Sequence, residues 1–364
     1  MNDRNRVPGA RRPLPWLAPL GGLWLAVARA RSWLFDAGLL RAEHPGIPVV
    51  SVGNLVAGGT GKTPLVAWLA EELGSRGVRV AIVSRGHGGT RPVEPLLVAR
   101  QGELLVDPGE SGDEPALLAR RPGVHLVVVG KDRRAAARLA VREGARLILL
   151  DDGFQHRRIA RDLDLVLLDW SDPLGGGRGL PAGWLREPPS ALRRADVVVL
   201  TRAPREFASR REPLAPTDVP GGLRSVLAAL PAPPPVLAAA HVPAGVRLPG
   251  ERWEPAGWLR GRRVLPVAAI ARPESFLATL RELGAEPADP LCWPDHHRFT
   301  VADARRIREA AAAGDLDVIT TEKDALRWPP DAPSPLVLEV RIHLGAGDRL
   351  LERVLPLLEE DGER

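Results

Sequence analysis

The sequence predicts an α/β protein built as two α/β/α domains with largely parallel sheets. Three observations predict it. Short, continuous apolar runs recur along the chain, leucine-spaced helical stretches lie between several of them, and a Pro-rich interval divides the pattern into two sets. Apolar runs of strand length that do not alternate with polar residues are buried on both faces, as strands of a helix-covered parallel sheet are. At 364 residues the chain is long enough for about two such domains, and 45% apolar with 26% charged residues is a globular balance.

Residues 1–44 come first. Arg4, Arg6, Arg11 and Arg12 precede an apolar stretch holding Trp16, Leu17, Leu20, Leu23, Trp24, Leu25 and Val27, and Arg29 and Arg31 follow it. The run is shorter than the roughly 20 residues that span a bilayer. It reads as a membrane-associating interfacial helix, with Trp and Arg at headgroup depth. Ala26-Val27-Ala28 resembles a signal-peptide cleavage site, but Pro19, Gly21 and Gly22 interrupt the apolar region. A plain core helix is the third reading.

Residues 45–212 form the first βα set. Strands are expected at Ile47–Val52, Val78–Val83, His125–Val129, Arg146–Leu150, Leu163–Leu168 and Asp196–Leu200, with a helix through Leu65, Leu69 and Leu73. The interval from about Pro213 to Pro235 lies in a linker assigned to 213–250. Residues 251–364 form the smaller set: a strand at Val264–Ile270, helices around Phe276–Leu283 and at Val301–Ala313, a strand at Leu316–Thr320, and a closing strand and helix from Leu336.

Charge and cysteine usage narrow the classes. The net charge of +5 is carried almost wholly by arginine, since Lys62, Lys131 and Lys323 are the only lysines and Tyr is absent. Each surviving lysine therefore marks a place where arginine's planar fork does not serve. A lone Cys292 excludes a disulfide framework and any multi-cysteine metal site. No basic stripe interleaved with aromatics is present, so nucleic acid is not an expected partner; the basic balance suits membrane surfaces or phosphorylated substrates.

The strongest chemical signal is Gly58-Gly59-Thr60-Gly61-Lys62-Thr63, between the first strand and a helix. Backbone N–H groups of such a loop point at phosphate oxygens, and the helix N-terminus adds positive potential. Lys62 would reach the β- and γ-phosphates of ATP, and the Thr63 hydroxyl would ligate Mg²⁺. Val56 stands where the strict Walker A pattern has glycine, so this is a variant P-loop. Asp151 and Asp152 end a buried strand, where a Walker B carboxylate holds Mg²⁺ or its water, although Asp169 ends another. Asp113-Glu114-Pro115 opens a helix and is otherwise explained as an N-cap with proline in the first turn. Asp295-His296-His297 admits a metal-site reading, even a manganese phosphoesterase, but lacks further ligands. Thr320-Thr321-Glu322-Lys323-Asp324 keeps a scarce lysine after a strand and reads as a polar site rather than a solvated loop.

In this order, "SVGNLVAGGTGKTP", "SRGHGG", "GDEP", "DDGFQHRRIARDLD", "LPAGWLREP", "PDHHRF" and "TTEKDA" resemble the tetraacyldisaccharide 4′-kinase (lipid A 4′-kinase) family from about residue 45 to 330. The resemblance implies two P-loop/Rossmann-like α/β/α domains joined by a short β-ribbon hinge. It implies MgATP-dependent transfer of the γ-phosphoryl to the 4′-hydroxyl of a tetraacylated glucosamine disaccharide 1-phosphate, at the cytoplasmic face of the inner membrane. Carried onto this chain, the phosphate loop falls on Gly58 to Thr63, the acidic pair near Mg²⁺ on Asp151 and Asp152, and the base on Asp113. The assisting histidine falls on His296, and a further active-site acid on Glu187. Asp113 and His296 would share one proton on closure of the two domains, with a carboxylate beside the imidazole favouring imidazolium. A monomer is expected. His87, Gly89 and Trp184 depart from the family pattern, which has Tyr, Arg and Pro there. The alternative is a nucleotide-switched P-loop ATPase or GTPase, but Ala57 stands where such switches carry a signature lysine.

Overall fold

The computed structural model describes residues 14–86, 89 and 94–359. His87 and the arginines before residue 14 lie outside them. The chain divides into two compact units. One is Val242–Arg341; the other holds the described residues up to His241 and those from Ile342 onward.

In the larger unit the elements run α1 (Ala18–Asp36), β1 (Val49–Asn54), α2 (Lys62–Gly74), β2 (Val80–Ser84), β3 (Leu96–Arg100), β4 (Glu103–Leu104), α3 (Pro108–Ser111) and α4 (Asp113–Ala119). They continue with β5 (Val124–Val129), α5 (Arg133–Arg142), β6 (Leu147–Asp151), β7 (Leu163–Asp169), β8 (Val197–Thr201), α6 (Arg205–Ala208), α7 (Gly221–Ala228) and β9 (Val236–Ala238). These strands form one sheet in the order β4-β3-β5-β2-β6-β1-β7-β8-β9. All the pairings from β5 to β9 are parallel, whereas β3 runs antiparallel to both β4 and β5. Every residue of β1, β6 and β7 is buried, which explains the unbroken apolar runs. Leu65, Leu69 and Leu73 of α2 are fully buried on one face of the sheet, each contributing about 1.5–3 kcal/mol. On the other face α5 presents Ala136, Ala137 and Ala140, small enough to bring its backbone close to the strands. The β3–β4 edge was not expected; its turn is Gln101-Gly102, both at positive φ, as a tight hairpin requires.

Helix α1 docks on the 179–186 segment of the same unit. A Cβ at Gly21 would lie 2.7 Å from the Gly179 carbonyl oxygen, Leu14 N donates to Ala182 O at 2.9 Å, and Trp24 Nε1 donates to Arg186 O at 3.0 Å. Its outer face keeps Leu20, Leu23, Val27 and Trp33 more than half exposed, and Trp16 just before the helix is 75% exposed. No described helix is long and apolar enough to cross a membrane.

The smaller unit carries β10 (Ala240–Arg247), β11 (Trp253–Pro255), β12 (Arg263–Ala268), α8 (Pro273–Glu282), β13 (Glu286–Pro287), β14 (Leu291–Cys292), α9 (Val301–Gly314), β15 (Asp317–Thr321), α10 (Glu322–Ala325) and β16 (Leu336–His343). Its sheet runs β11-β10-β16-β15-β12-β13, with β14 also on β12. The chain leaves and re-enters the larger unit within β10 and β16, which are neighbours in that sheet.

Two expected boundaries are corrected. Much of the 213–250 interval belongs to the larger unit: α7 buries Leu223 and Leu227 in a core cluster, and β9 extends the sheet beside β8. Its prolines sit in the connections, which is why composition alone reads as a linker. The closing helix α11 (Gly347–Val354) also belongs to the larger unit, because Leu350, Leu351 and Val354 pack in the same cluster as Leu65 and Leu69.

Candidate active site

The carboxyl end of the larger sheet gathers the P-loop and the acidic pair. β1 ends at Asn54, the loop follows, and α2 begins at Lys62 with Gly61 as its N-cap at φ +80°. Gly61 is required twice over, since its φ is left-handed and a Cβ there would meet His241 Nε2 at 2.7 Å.

A collar of side chains grips the loop by its carbonyls. Asn54 Nδ2 donates to Gly58 O at 3.2 Å, Arg202 Nη2 to Gly59 O at 2.7 Å, and Thr201 Oγ1 to Thr60 O at 2.8 Å. Asn54 also reaches Thr60 Oγ1 at 3.2 Å, and Ala57 N donates to Trp184 O at 2.7 Å. With successive carbonyls held from outside, the loop's N–H groups are left for an anion at the start of α2, where the helix dipole also favours one.

Lys62 and the acids lie together. Lys62 Nζ stands 3.3 Å from Asp152 Oδ1, and Arg186 Nη1 donates to both oxygens of Asp152 at 2.8 and 2.9 Å. Asp152 sits at φ +53°. Burial works against its ionisation, but Lys62 and Arg186 outweigh it and hold the carboxyl down to about 2. Asp151 is different. Burial, with repulsion from Glu114, pushes it up to about 6, against the pull of Lys62 and Arg133. Its Oδ2 accepts from Ser84 Oγ at 3.0 Å, while Oδ1 is buried and has no hydrogen-bond partner.

That orphaned oxygen bears on the metal. Mg²⁺ takes hard oxygens, commonly one or two carboxylates completed by substrate phosphates and water. Asp151 Oδ1 and the hydroxyl of Thr63, the second residue of α2, offer that donor type. Among the described residues no cluster of three or more His, Cys, Asp or Glu could cage an ion unaided. The residues fit an ion bound together with a nucleotide.

The other expected site residues fall as follows. Asp113 is the first residue of α4, yet it is not the cap: Gly112 holds that position and no side chain caps the helix. Glu187, expected as an active-site acid, has both its oxygens accepting from Arg194, at 2.9 and 3.1 Å, in a buried ion pair. Arg194 also stacks on Phe154, 4.4 Å from the ring centroid, so Glu187 holds the 187–194 segment in place. In the smaller unit His296 lies at φ +61° with Nε2 3.1 Å from Lys323 Nζ. His297 turns instead to Asp303, at 2.9 Å, whose side chain also completes the capping box of α9.

Sequence reasoning missed several residues here. Arg186 was passed over beside Glu187; its signal was a basic residue inside a quoted motif. Thr201 and Arg202 lie at the carboxyl end of a buried strand, the position that carries function in such sheets. His156 and His241 have buried Nε2 atoms without hydrogen-bond partners. Burial, aided by Arg133 for the first and Arg202 for the second, lowers each to about 4.

Comparison with known proteins identifies the family. A family model described as tetraacyldisaccharide-1-P 4′-kinase matches residues 14–359. The chain is 47% identical over 328 residues to a tetraacyldisaccharide 4′-kinase of Anaeromyxobacter dehalogenans (strain 2CP-C), covering 89% of this chain and 81% of that protein. It is 42% identical over 330 residues to one from Syntrophotalea carbinolica, covering 88% and 86%. A crystal structure of LpxK from Aquifex aeolicus in complex with ATP is similar at a TM-score of 0.75 and 30% identity, over 94% of this chain and 98% of that one. With a gripped phosphate loop, a lysine and two acids at the carboxyl end of the sheet, and a match spanning nearly all of its length, the chain belongs to the tetraacyldisaccharide-1-P 4′-kinase family.

Proposed function

We infer that the protein transfers the γ-phosphoryl group of ATP to the 4′-hydroxyl of a tetraacylated glucosamine disaccharide 1-phosphate, a lipid A precursor. The observation that carries this reading is the collared phosphate loop with Lys62 and the Asp151–Asp152 pair beside it.

Phosphoryl transfer asks for alignment and charge stabilisation more than for covalent help. The N–H groups of Gly58 to Thr63 bind the triphosphate, and Lys62 shifts from Asp152 to the β- and γ-phosphate oxygens. Arg186 keeps Asp152 ionised and in place after the lysine moves. Thr63 and Asp151 would hold Mg²⁺, which would supply neutralisation of charge on the phosphate oxygens. The 4′-oxygen forms a bond to the γ-phosphorus as the bond to the leaving oxygen of ADP breaks. The hydroxyl proton passes late to Asp113, which needs little basicity because the transition state is loose. His296 is proposed to assist the transfer.

The lipid is proposed to be met at the cytoplasmic face of the inner membrane. Nine of the twelve large, exposed apolar side chains among the described residues lie between Leu14 and Leu40, which suits insertion of one face at headgroup depth. The test is label transfer from γ-labelled ATP to an extracted disaccharide 1-phosphate lipid. Label is expected in the lipid, dependent on Mg²⁺. ATP turnover that ignores the lipid would overturn the reading in favour of a nucleotide switch.

A further inference from the structure

We propose that Lys323 is a positioning residue for this transfer: its ammonium donates to Nε2 of His296 and fixes that imidazole as the tautomer protonated on Nδ1. The proposal rests on the reading above, in which His296 assists the transfer.

The distances carry it. Lys323 Nζ is 3.1 Å from His296 Nε2 and 3.0 Å from Asp295 Oδ1. An ammonium group has donors and no acceptor, so Nε2 must offer its lone pair. Which ring nitrogen of a histidine carries the proton is set by the hydrogen bond made at the other one. The Asp295 carboxylate offsets the ammonium charge, so Lys323 acts on the ring through donor geometry.

Both partners hang on one residue. Lys323 lies in the single turn α10, where Thr321 Oγ1 accepts from Asp324 N at 3.2 Å. Asp324 is fully buried, and its Oδ2 accepts from Ala269 N at 3.0 Å. Ala269 O in turn accepts from His296 N at 3.3 Å. Arg327 adds a third tie, donating to Asp324 Oδ1 at 2.7 Å and to His297 O at 3.0 Å. These ties hold His296 in its left-handed backbone conformation, which a non-glycine residue keeps only where its surroundings impose it. A pair assembled this tightly is also one that a planar guanidinium would not reproduce, which accounts for one of the three lysines kept in an arginine-rich chain.

The chemical consequence is directional. With its Nε2 lone pair engaged by Lys323, His296 offers an Nδ1–H donor rather than a base. An imidazolium, as expected from sequence, is the competing state.

The test uses the full chain with ¹⁵N-labelled histidine, and a His296→Gln variant to assign the resonance. Wild type is expected to show Nδ1 protonated and Nε2 bare, and Lys323→Met to move the proton toward Nε2. Lys323→Met should lower kcat about tenfold without changing KM for ATP, and should cost nothing further in the His296→Gln background. A proton on Nε2 in folded wild type overturns the assignment, as does an equal loss from Lys323→Met in the His296→Gln background. If His296→Gln alone leaves kcat intact, the role of His296 falls and the positioning role falls with it, whatever the tautomer. Should Lys323→Met not fold, Lys323→Gln replaces it and the wild-type spectrum decides the contact.

Discussion

Lys62 enters the site already paired, and its partner does not depend on it. Asp152 is also held through both oxygens by Arg186, so removing the lysine leaves Asp152 paired. Lys62→Ala should therefore keep its fold, seen as an unchanged circular dichroism spectrum and a Tm within a few degrees, while kcat for lipid phosphorylation drops by about 10²-fold or more. Activity within a few-fold of wild type would remove the phosphate role. At this scale the sequence was legible where a motif states its own chemistry, as Gly58 to Thr63 and Asp151-Asp152 do. It was illegible where identity hides the partner. Nothing in the LREP string says that Glu187 pairs with Arg194 while Arg186 clamps Asp152, because both partners lie outside the string.

Elements were legible to within about two residues wherever burial was symmetric. β1, β6 and β7 read directly as apolar runs, displaced from their expected limits only at the ends. α7 and β9 were hidden because Pro-rich connections dominate composition, although Leu223 and Leu227 already show helical spacing. α1 is the element whose two faces differ most in consequence. One face is tied to the 179–186 segment through Gly21 and Trp24, so deleting the helix would disturb Arg186 as well as any membrane contact. Substitution on the other face is the cleaner test. Trp16→Ser, Leu23→Ser and Trp33→Ser combined should weaken binding to anionic vesicles and raise KM for lipid several-fold, with KM for ATP unchanged. Vesicle co-sedimentation equal to wild type would return the exposed face to some other use.

For the whole molecule, stability should decline on mild acidification. His156 and His241 titrate near 4 in the fold and near 6.5 in the unfolded chain, so unfolding takes up protons between those values and stability falls as pH drops through them. Asp151 works the other way: at about 6 in the fold and near 3.8 unfolded, it gains stability over nearly the same interval. Among these three large shifts, two losses against one gain leave a net decline. In chelator, Tm should fall between pH 6.5 and 4.5, and fall less in the His156→Gln/His241→Gln double variant; parallel curves would show that neither buried histidine governs the acid limb. The return of the chain to the larger unit after Arg341 has a further consequence, for synthesis. Gly347 lies against Trp68, and Leu350 and Val354 share a core with Leu65 and Leu69. At ribosomal speeds of roughly 5–20 residues per second, the outer face of α2 waits on the order of 15–60 s for the helix that covers it. The smaller unit emerges complete within that interval, so the larger unit is started before it and completed after it, and the nascent chain must shield an apolar helix face until α11 leaves the ribosome.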